Sequence, residues 1–475
     1  MARINTNIGA LVAQRHLNSA YRDLNSTIQR LASGLRITRG ADDPAGLIVS
    51  ERLRAEINAV NQAVLNTQRA SKIIATTEGA LDEVARLLTD IQDLLVEAAN
   101  RGALSDDEIK ANQLQVDSAI ASITRIANST TFAGRQLLNG ALGYVTSGVD
   151  SSVINALDIQ SAQFGTRDYI PVTIEVTTSA QPGRLYFTAG SVTSSVTIEL
   201  QGNTGVTTLE FTAGTTASAM TEAVNAVSDS TGVIATLSSS PTSGFVMEST
   251  SLGSNQFVSV QVLPGTGTFT VENADGIEVQ RDYGRDAIAL VNGATSMGEG
   301  NKLTLRTATL NMQVTLDQNF GTGTTSFAIT GGGALFQVGP EVNSNLQVNI
   351  GVQSVAASRL GNSEIGFLSQ MQSGGAYSLV AGEEAQAQKI TREAIRQVSV
   401  LRGRLGAFEK NTLDTNVNQL GITAENLMAA QSTVRDADFA LETSQLTRHQ
   451  ILVSAGASVL ALAQQTPRTV LQLLG

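Results

Sequence analysis

The sequence predicts an α+β protein: a long antiparallel α-helical coiled-coil rod formed by both chain ends, with a β-rich domain inserted in the middle. Three observations carry this. Apolar residues recur at heptad spacing in both end regions and nowhere between them. The middle is rich in Ser, Thr, Gly and Val and shows short alternating runs. Each end carries a seam that a single helix cannot shield from water, so the economical solution packs the first helix on the last. The expected domains are 1–44 with 424–475, a terminal helical coiled coil; 45–167 with 345–423, a long-helix bundle with a small β segment; and 168–344, a β-rich insertion.

The first seam is Leu17, Tyr21, Leu24, Ile28, Leu31 and Leu35, spaced 4-3-4-3-4. It runs into Ser33-Gly34-Leu35-Arg36-Ile37. Asp43 precedes Pro44, which fits the first helical position while Asp caps it. Asp42, Asp43 and Pro44 therefore mark a helix break between domains. Beyond it, Val60, Thr67, Ile74, Leu81, Leu88 and Leu95 are each seven apart, flanked by Ile57, Val64, Val84 and Ile91. This predicts one helix of about ten turns, ~60 Å at 1.5 Å per residue, ending at Arg101-Gly102. Ser105 with Glu108 forms a capping-box pattern for a third helix, whose face is Ile109, Val116, Ile120, Ile123 and Ala127. A short loop folds this helix back antiparallel on its predecessor.

After Gly140 the heptads vanish. Val172–Val176, Val196–Leu200, Thr208–Phe211 and Phe257–Val260 alternate as strands with one buried face. A short helix from about Ala217 to Val227 places Met220, Ala223, Val224 and Val227 on one side. Helices return near residue 380. Ala394, Val398, Leu401, Leu405 and Phe408 repeat the 4-3-4-3 spacing, and Val417 and Leu420 extend it to a stop at Gly421. The long central helix is expected to pack on the one centred at residue 405. Thr423 then opens the last helix, with Asn426 in place of the preferred Glu or Gln. Leu427, Val434 and Leu441 form one line; Phe439, Leu446, Val453 and Leu460 form another, offset line. Pro467 interrupts the pattern.

Composition narrows the function. The chain has 475 residues, enough for two or three domains, and a net charge of −11, which argues against nucleic-acid binding. It has no Cys, which excludes disulfides and thiolate chemistry. Aromatics are 4% with no Trp, so the core is aliphatic. No apolar run approaches the ~20 residues that cross a bilayer. Met1–Asn7 does not read as a cleavable secretion signal.

The search for chemistry finds none. His16 and His449 are the only histidines, one in each terminal helix, so no pair is available for an HExxH zinc site. Asp42-Asp43 and Asp106-Asp107-Glu108 lack calcium-loop spacing and read as helix-start charge. Gly321-Thr322-Gly323 and Gly331-Gly332-Gly333 read as turns, since neither completes a nucleotide loop. No cofactor is expected.

The run Ser33–Ile37, then Asp42-Asp43-Pro44-Ala45-Gly46-Leu47 and Ser50–Ile57, resembles the amino-terminal signature of the bacterial flagellins. Val434–Ala440, Gln450-Ile451-Leu452, Ala457–Ala461 and Val470–Leu474 resemble their carboxy-terminal signature. Thr131–Gly140 resembles the segment that closes the family's helical pair. Asp286–Gly293 with Asn301–Leu305 resembles a small motif of flagellin and hook-protein insertions. The resemblance implies a structural subunit that self-polymerises into the helical flagellar filament used as a motility propeller; the alternative is a hook–filament junction protein. It implies an extracellular location reached without a cleaved signal peptide. The implied partners are other copies of the chain, a flagellar secretion chaperone, the export apparatus, the filament cap protein and junction proteins, with no nucleic acid and no membrane. The self-assembly seam would be Leu17, Leu24, Ile28, Leu31, Leu35, Leu446, Val453 and Leu460. The inner bundle would be Val60, Ile74, Leu81, Leu88, Leu95, Leu401, Leu405 and Phe408. Where many flagellins present an Arg to an innate immune receptor, this chain has Asp90 before Leu94, with Asn112 on the next helix, which implies weak receptor activation.

Overall fold

The computed structural model describes residues 6–165, 167–238, 244–307 and 309–474, with side chains described as far as residue 465. The helices are α1 (Ile8–Ser33), α2 (Pro44–Ala98), α3 (Asp106–Ser129), α4 (Ala217–Ala226), α5 (Ser228–Thr231), α6 (Glu384–Phe408), α7 (Thr415–Arg435) and α8 (Phe439–Leu474). A π-helical turn, Glu409–Asp414, joins α6 to α7. Two compact units result. One holds the chain up to Arg69, Gln337–Val342 and the chain from Lys410 onward; the other holds Ala70–Phe336 and Asn343–Glu409.

In the first unit α1 and α8 run antiparallel. Asn7 Nδ2 donates to the Ala463 carbonyl at 2.7 Å, Leu17 lies against Gly456, and Arg30 meets Glu442 at 3.4 Å. Gly34 ends α1 in the left-handed region at φ 69°, where a side chain would be strained. The start of α2 packs on α7 through Val60, Ala63, Leu420 and Ala424. Asn416 Nδ2 donates to Thr67 Oγ1 (3.1 Å) and to the Val338 carbonyl (2.7 Å), tying down the short 337–342 segment.

One helix length and two helix limits differ from the sequence reading. First, α2 spans 55 residues, ~80 Å and not ~60 Å. The heptad line from Val60 to Leu95 measures only the buried stretch, whereas the helix begins at its Asp43 cap, where Gly46 N donates to Asp43 Oδ1 at 2.9 Å. Second, α7 passes through Gly421 without a stop. A mid-helix Gly costs only ~1 kcal/mol, and Leu420 and Ala424 on either side are buried. Thr423 caps nothing; its hydroxyl donates back to the Gln419 carbonyl. The break falls later, at Asp436, and Asp438 Oδ1 receives the Ala440 and Leu441 amides to start α8. Third, α8 continues through position 467. Proline there removes one helical N–H, the donor to the Ala463 carbonyl, and Asn7 donates to that same oxygen.

The second unit contains the later part of α2, then α3 and α6. The apolar line expected on α2 is buried from Ile74 to Leu95, with Leu81, Leu88 and Ile91 fully enclosed. Antiparallel α6 is pinned to it by Arg402–Asp82 (3.0 Å) and by Ser71 to Glu409. Ala394, Val398 and Leu405 are buried, while Phe408 is partly covered and tilts against Phe336 with ring centres 6.5 Å apart. The Ser105–Glu108 capping box forms as the sequence requires. Gln113 is buried in α3 and bonds the Met371 carbonyl and the Leu379 amide, fastening the 371–379 loop.

The remainder of this unit is β-rich. An eight-stranded antiparallel sheet runs in the order Tyr144–Ser147, Gly323–Gly332, Ile170–Thr178, Ile288–Val291, Ala294–Glu299, Lys302–Arg306, Leu310–Leu316 and Ile154–Ala162. Asn292 (φ 50°) and Gly293 (φ 79°) make the tight hairpin turn. Asn292 also stitches the neighbouring strand, accepting from the Thr173 amide and donating to the Pro171 carbonyl. Two smaller sheets share a second core. One is Arg184–Phe187, Phe245–Ser249 and Val233–Leu237; the other is Arg281–Tyr283, Phe257–Val262, Val196–Gln201 and Val206–Phe211. Met220 and Val224 of α4 are buried in it, with Ala223 and Val227 partly so. Phe187 stacks on Phe269 at 4.3 Å, so this core gathers several of the chain's few aromatics.

Candidate assembly surface

The terminal pair is built on two covered lines. On α1 the covered positions are Ala10, Ala13, Leu17, Ala20, Leu24, Thr27 and Leu31; on α8 they are Glu442, Leu446, His449, Val453, Gly456, Leu460 and Ala463. Both step alternately by three and four, the period at which two helices keep a seam facing each other. The α1 line mixes Ala and Thr with Leu17, Leu24 and Leu31. Tyr21 and Ile28, which the sequence put on the seam, are 47% and 46% exposed. Leu17, Leu24, Leu31, Leu35, Leu446, Val453 and Leu460 are partly covered.

Each helix also carries large apolar residues outside this contact. Ile8, Leu11 and Val12 are exposed on α1, and Leu441, Ile451, Leu452, Val459 and Leu462 on α8. Ile451 is 63% and Leu462 66% exposed. Apolar side chains on two sides of one helix mark a surface that a partner covers.

The α1 and α8 ends meet at the helix breaks. Leu35 and Asp436 form an antiparallel bridge, Arg36 N donates to the Arg435 carbonyl at 2.7 Å, and Ala437 N donates to the Gly34 carbonyl at 2.9 Å. Backbone groups freed where one helix stops are thus satisfied by the place where the other starts. Ile37 is buried beneath the turn. Asp42 Oδ2 accepts from the Thr38 hydroxyl and from the Thr38 and Arg39 amides. The Thr38 hydroxyl first, then these amides, hold the Asp42 carboxyl below its ordinary range. Arg435 reaches Glu51 at 3.0 Å, so the start of α2 is held by the same corner. Pro44 opens α2 as expected.

Sequence reasoning missed Ala13, Thr27, Asn7 and Glu442. Small and polar residues do not register as apolar, although a three-four spacing through Ala10, Ala13, Leu17 and Ala20 was available. No group of His, Cys, Asp or Glu able to hold a metal is present among the described residues. His16 is exposed. The closing Val470–Leu474 run continues α8, and its side chains lie outside the described residues.

Comparison with known proteins adds three family matches. Residues 4–142 match the bacterial flagellin N-terminal helical region, residues 388–474 the bacterial flagellin C-terminal helical region, and residues 195–251 the flagellin hook IN motif. The last lies at a stretch that the sequence reading did not single out as a motif; that reading found a resemblance at Asp286–Gly293 with Asn301–Leu305. Residues 288–306 form a meander within the eight-stranded sheet. The B-type flagellin of Pseudomonas aeruginosa is 31% identical over 99% of both chains. Polar flagellin F of Vibrio parahaemolyticus is 29% identical over 99% of both. Among solved structures, FlgL of Xanthomonas campestris is 13% identical, covers 81% of this chain and 99% of its own, and has a TM-score of 0.29, too low to carry an argument.

Proposed function

Because the chain belongs to the bacterial flagellins, structural and non-enzymatic components of the motile flagellar filament, we propose that it homopolymerises through α1 and α8. The observation that carries this is the doubly apolar α8. Its covered line is taken by α1, and Leu441, Ile451, Leu452, Val459 and Leu462 still face water. Full burial of one such side chain contributes roughly 1.5–3 kcal/mol. Repeated along two helices, such burial favours association, while the helices' own hydrogen bonds and the α1–α8 contact carry most of the ordering of the chain ends. A second copy is the fitting occupant, since α1 offers Ile8, Leu11, Val12 and Ile28 in return.

In this reading both ends form an antiparallel coiled-coil rod. Residues 1–44 with 424–475 are the filament core, and Leu17, Leu24, Ile28, Leu31, Leu35, Leu446, Val453 and Leu460 are its assembly residues. Residues 45–167 with 345–423 form the inner bundle, and 168–344 the outer insertion. Asp42, Asp43 and Pro44 mark the break between core and bundle. Export proceeds without a cleaved signal, with the secretion chaperone, export apparatus, cap and junction proteins as partners. Nothing in the comparisons favours a hook–filament junction role for the chain itself.

The test is seeded growth. Purified chain added to short filament seeds should elongate them into long fibres, and a chain lacking both ends should not. Fibres that still grow and persist without the ends would contradict the reading.

A further inference from the structure

The apolar line between α1 and α8 carries little information about register. Moving one helix by seven residues takes Leu17 from Gly456 to His449 or Ala463, which are again positions of the covered line. The Leu35–Asp436 corner anchors one end of the pair, and a polar contact along the helices is needed to enforce the same alignment there. Glu442 is the one buried charged residue among the described residues, 4% exposed, and it occupies a line position where an apolar side chain would fit. Its partner is Arg30, at 3.4 Å through one oxygen. The fit is imperfect: Glu442 Oε2 and Arg30 Nε are buried without a hydrogen-bond partner. A pair of this kind contributes little net stability, because desolvation offsets the attraction. Breaking it is costly, because one charge is left buried and alone.

We propose that Arg30 and Glu442 are the register key of the terminal helix pair, resting on the reading that this pair is the assembly core. A shift by one heptad in one direction brings Glu442 abreast of Asp23, a like charge, and carries Arg30 past the start of α8, where it loses Glu442. A shift in the other direction carries Glu442 past the end of α1 and brings Arg30 abreast of His449, which removes both charge partners. Either misalignment is penalised, while the native one is only tolerated. This is selection against alternatives. Register matters here because the exposed stripes reach a second copy in one phase only if α1 and α8 hold one alignment.

The chain has no Cys, so introduced cysteines report alone. A Cβ built at Gly456 lies 3.7 Å from Leu17 Cβ, within the ~3.5–4.5 Å that a disulfide requires. Three full-length reporters share Gly456→Cys: with Leu17→Cys for the native alignment, and with Leu24→Cys or Ala10→Cys for the two shifted ones. After mild oxidation, linked peptides are quantified by mass spectrometry. With the key intact, the Leu17 reporter should link at least about tenfold more than either other. In the Arg30→Leu/Glu442→Leu background the shifted reporters should rise to within a few-fold of it, while thermal stability does not fall. The swapped pair Arg30→Glu/Glu442→Arg should restore the preference. A tenfold preference retained in the double-leucine background would overturn the key. The assembly reading fails separately, if the parent chain does not elongate seeds, because the linkage within one chain is read either way.

Discussion

The inner bundle and the terminal pair use the same heptad spacing and finish it differently. Along α2, the line from Ile74 to Leu95 is built of large residues and closes completely within one chain. Along α1 the covered line is mostly Ala, Leu and Thr, and the large residues Tyr21 and Ile28 lie beside it in water. Periodicity therefore says that a helix has a partner, and residue size says how much of its apolar surface that partner covers. Large residues on the line make a finished fold. A line that mixes Leu with Ala and Thr, with large residues beside it, leaves surface for another copy.

This contrast can be broken by substitution. The largest expected effect is in the bundle. Leu88→Ala removes a fully enclosed side chain and should destabilise the free subunit by about 2–5 kcal/mol, read by denaturant unfolding. Leu452→Ser, on the outward side of α8, should leave that unfolding curve unchanged. It should raise the concentration needed for fibre growth by about tenfold or more, a loss of roughly 1.5–3 kcal/mol per copy. If Leu452→Ser unfolds the subunit as strongly as Leu88→Ala, the distinction between the regions is lost.

Smaller effects sharpen the account at the corner and at the chain ends. Gly46→Ala places a methyl 2.7 Å from Ile37 Cδ1 and overlapping the Asp43 cap, and should cost about 1–3 kcal/mol, seen as faster amide exchange across 37–47. Asn7→Ala removes the α1 cap and the bond to the Ala463 carbonyl, for about 1 kcal/mol of fibre stability. Adding Pro467→Ala, which supplies an N–H for that carbonyl, should reduce the loss. The smallest effect is acid sensitivity. Asp42 has its carboxyl below the ordinary 3.8 in the folded state. Its contribution is complete above that ordinary value and disappears as pH falls through the lowered one. Exchange at the Thr38 and Arg39 amides should quicken below about pH 4, and Asp42→Asn should flatten the response.

Much of the helical architecture was legible. The Ser105–Glu108 capping box, the Asp43-Pro44 start and the α2 line depend on local chemistry that a single helix expresses by itself. The stop at Gly421 was misread because glycine is a weak breaker when its neighbours are buried, and Pro467 because one lost hydrogen bond does not end a helix. The terminal seam was displaced from Ala20 and Thr27 to Tyr21 and Ile28 because hydrophobicity, and not size, set the choice. Leu310, Met312, Val314 and Leu316 alternate cleanly and were still overlooked. Which strands neighbour which was out of reach, since the sheet brings Ile154–Ala162 beside Leu310–Leu316 across a long separation.

The central claim is that α1 and α8 are finished by neighbouring copies and α2 is not. Amide hydrogen exchange on the free subunit and on grown filament compares them directly. The account predicts weaker protection over residues 10–35 and 439–463 in the subunit than in the filament, and equal protection of Ile74–Leu95 in both. Equal protection of the chain ends in the two states would contradict it.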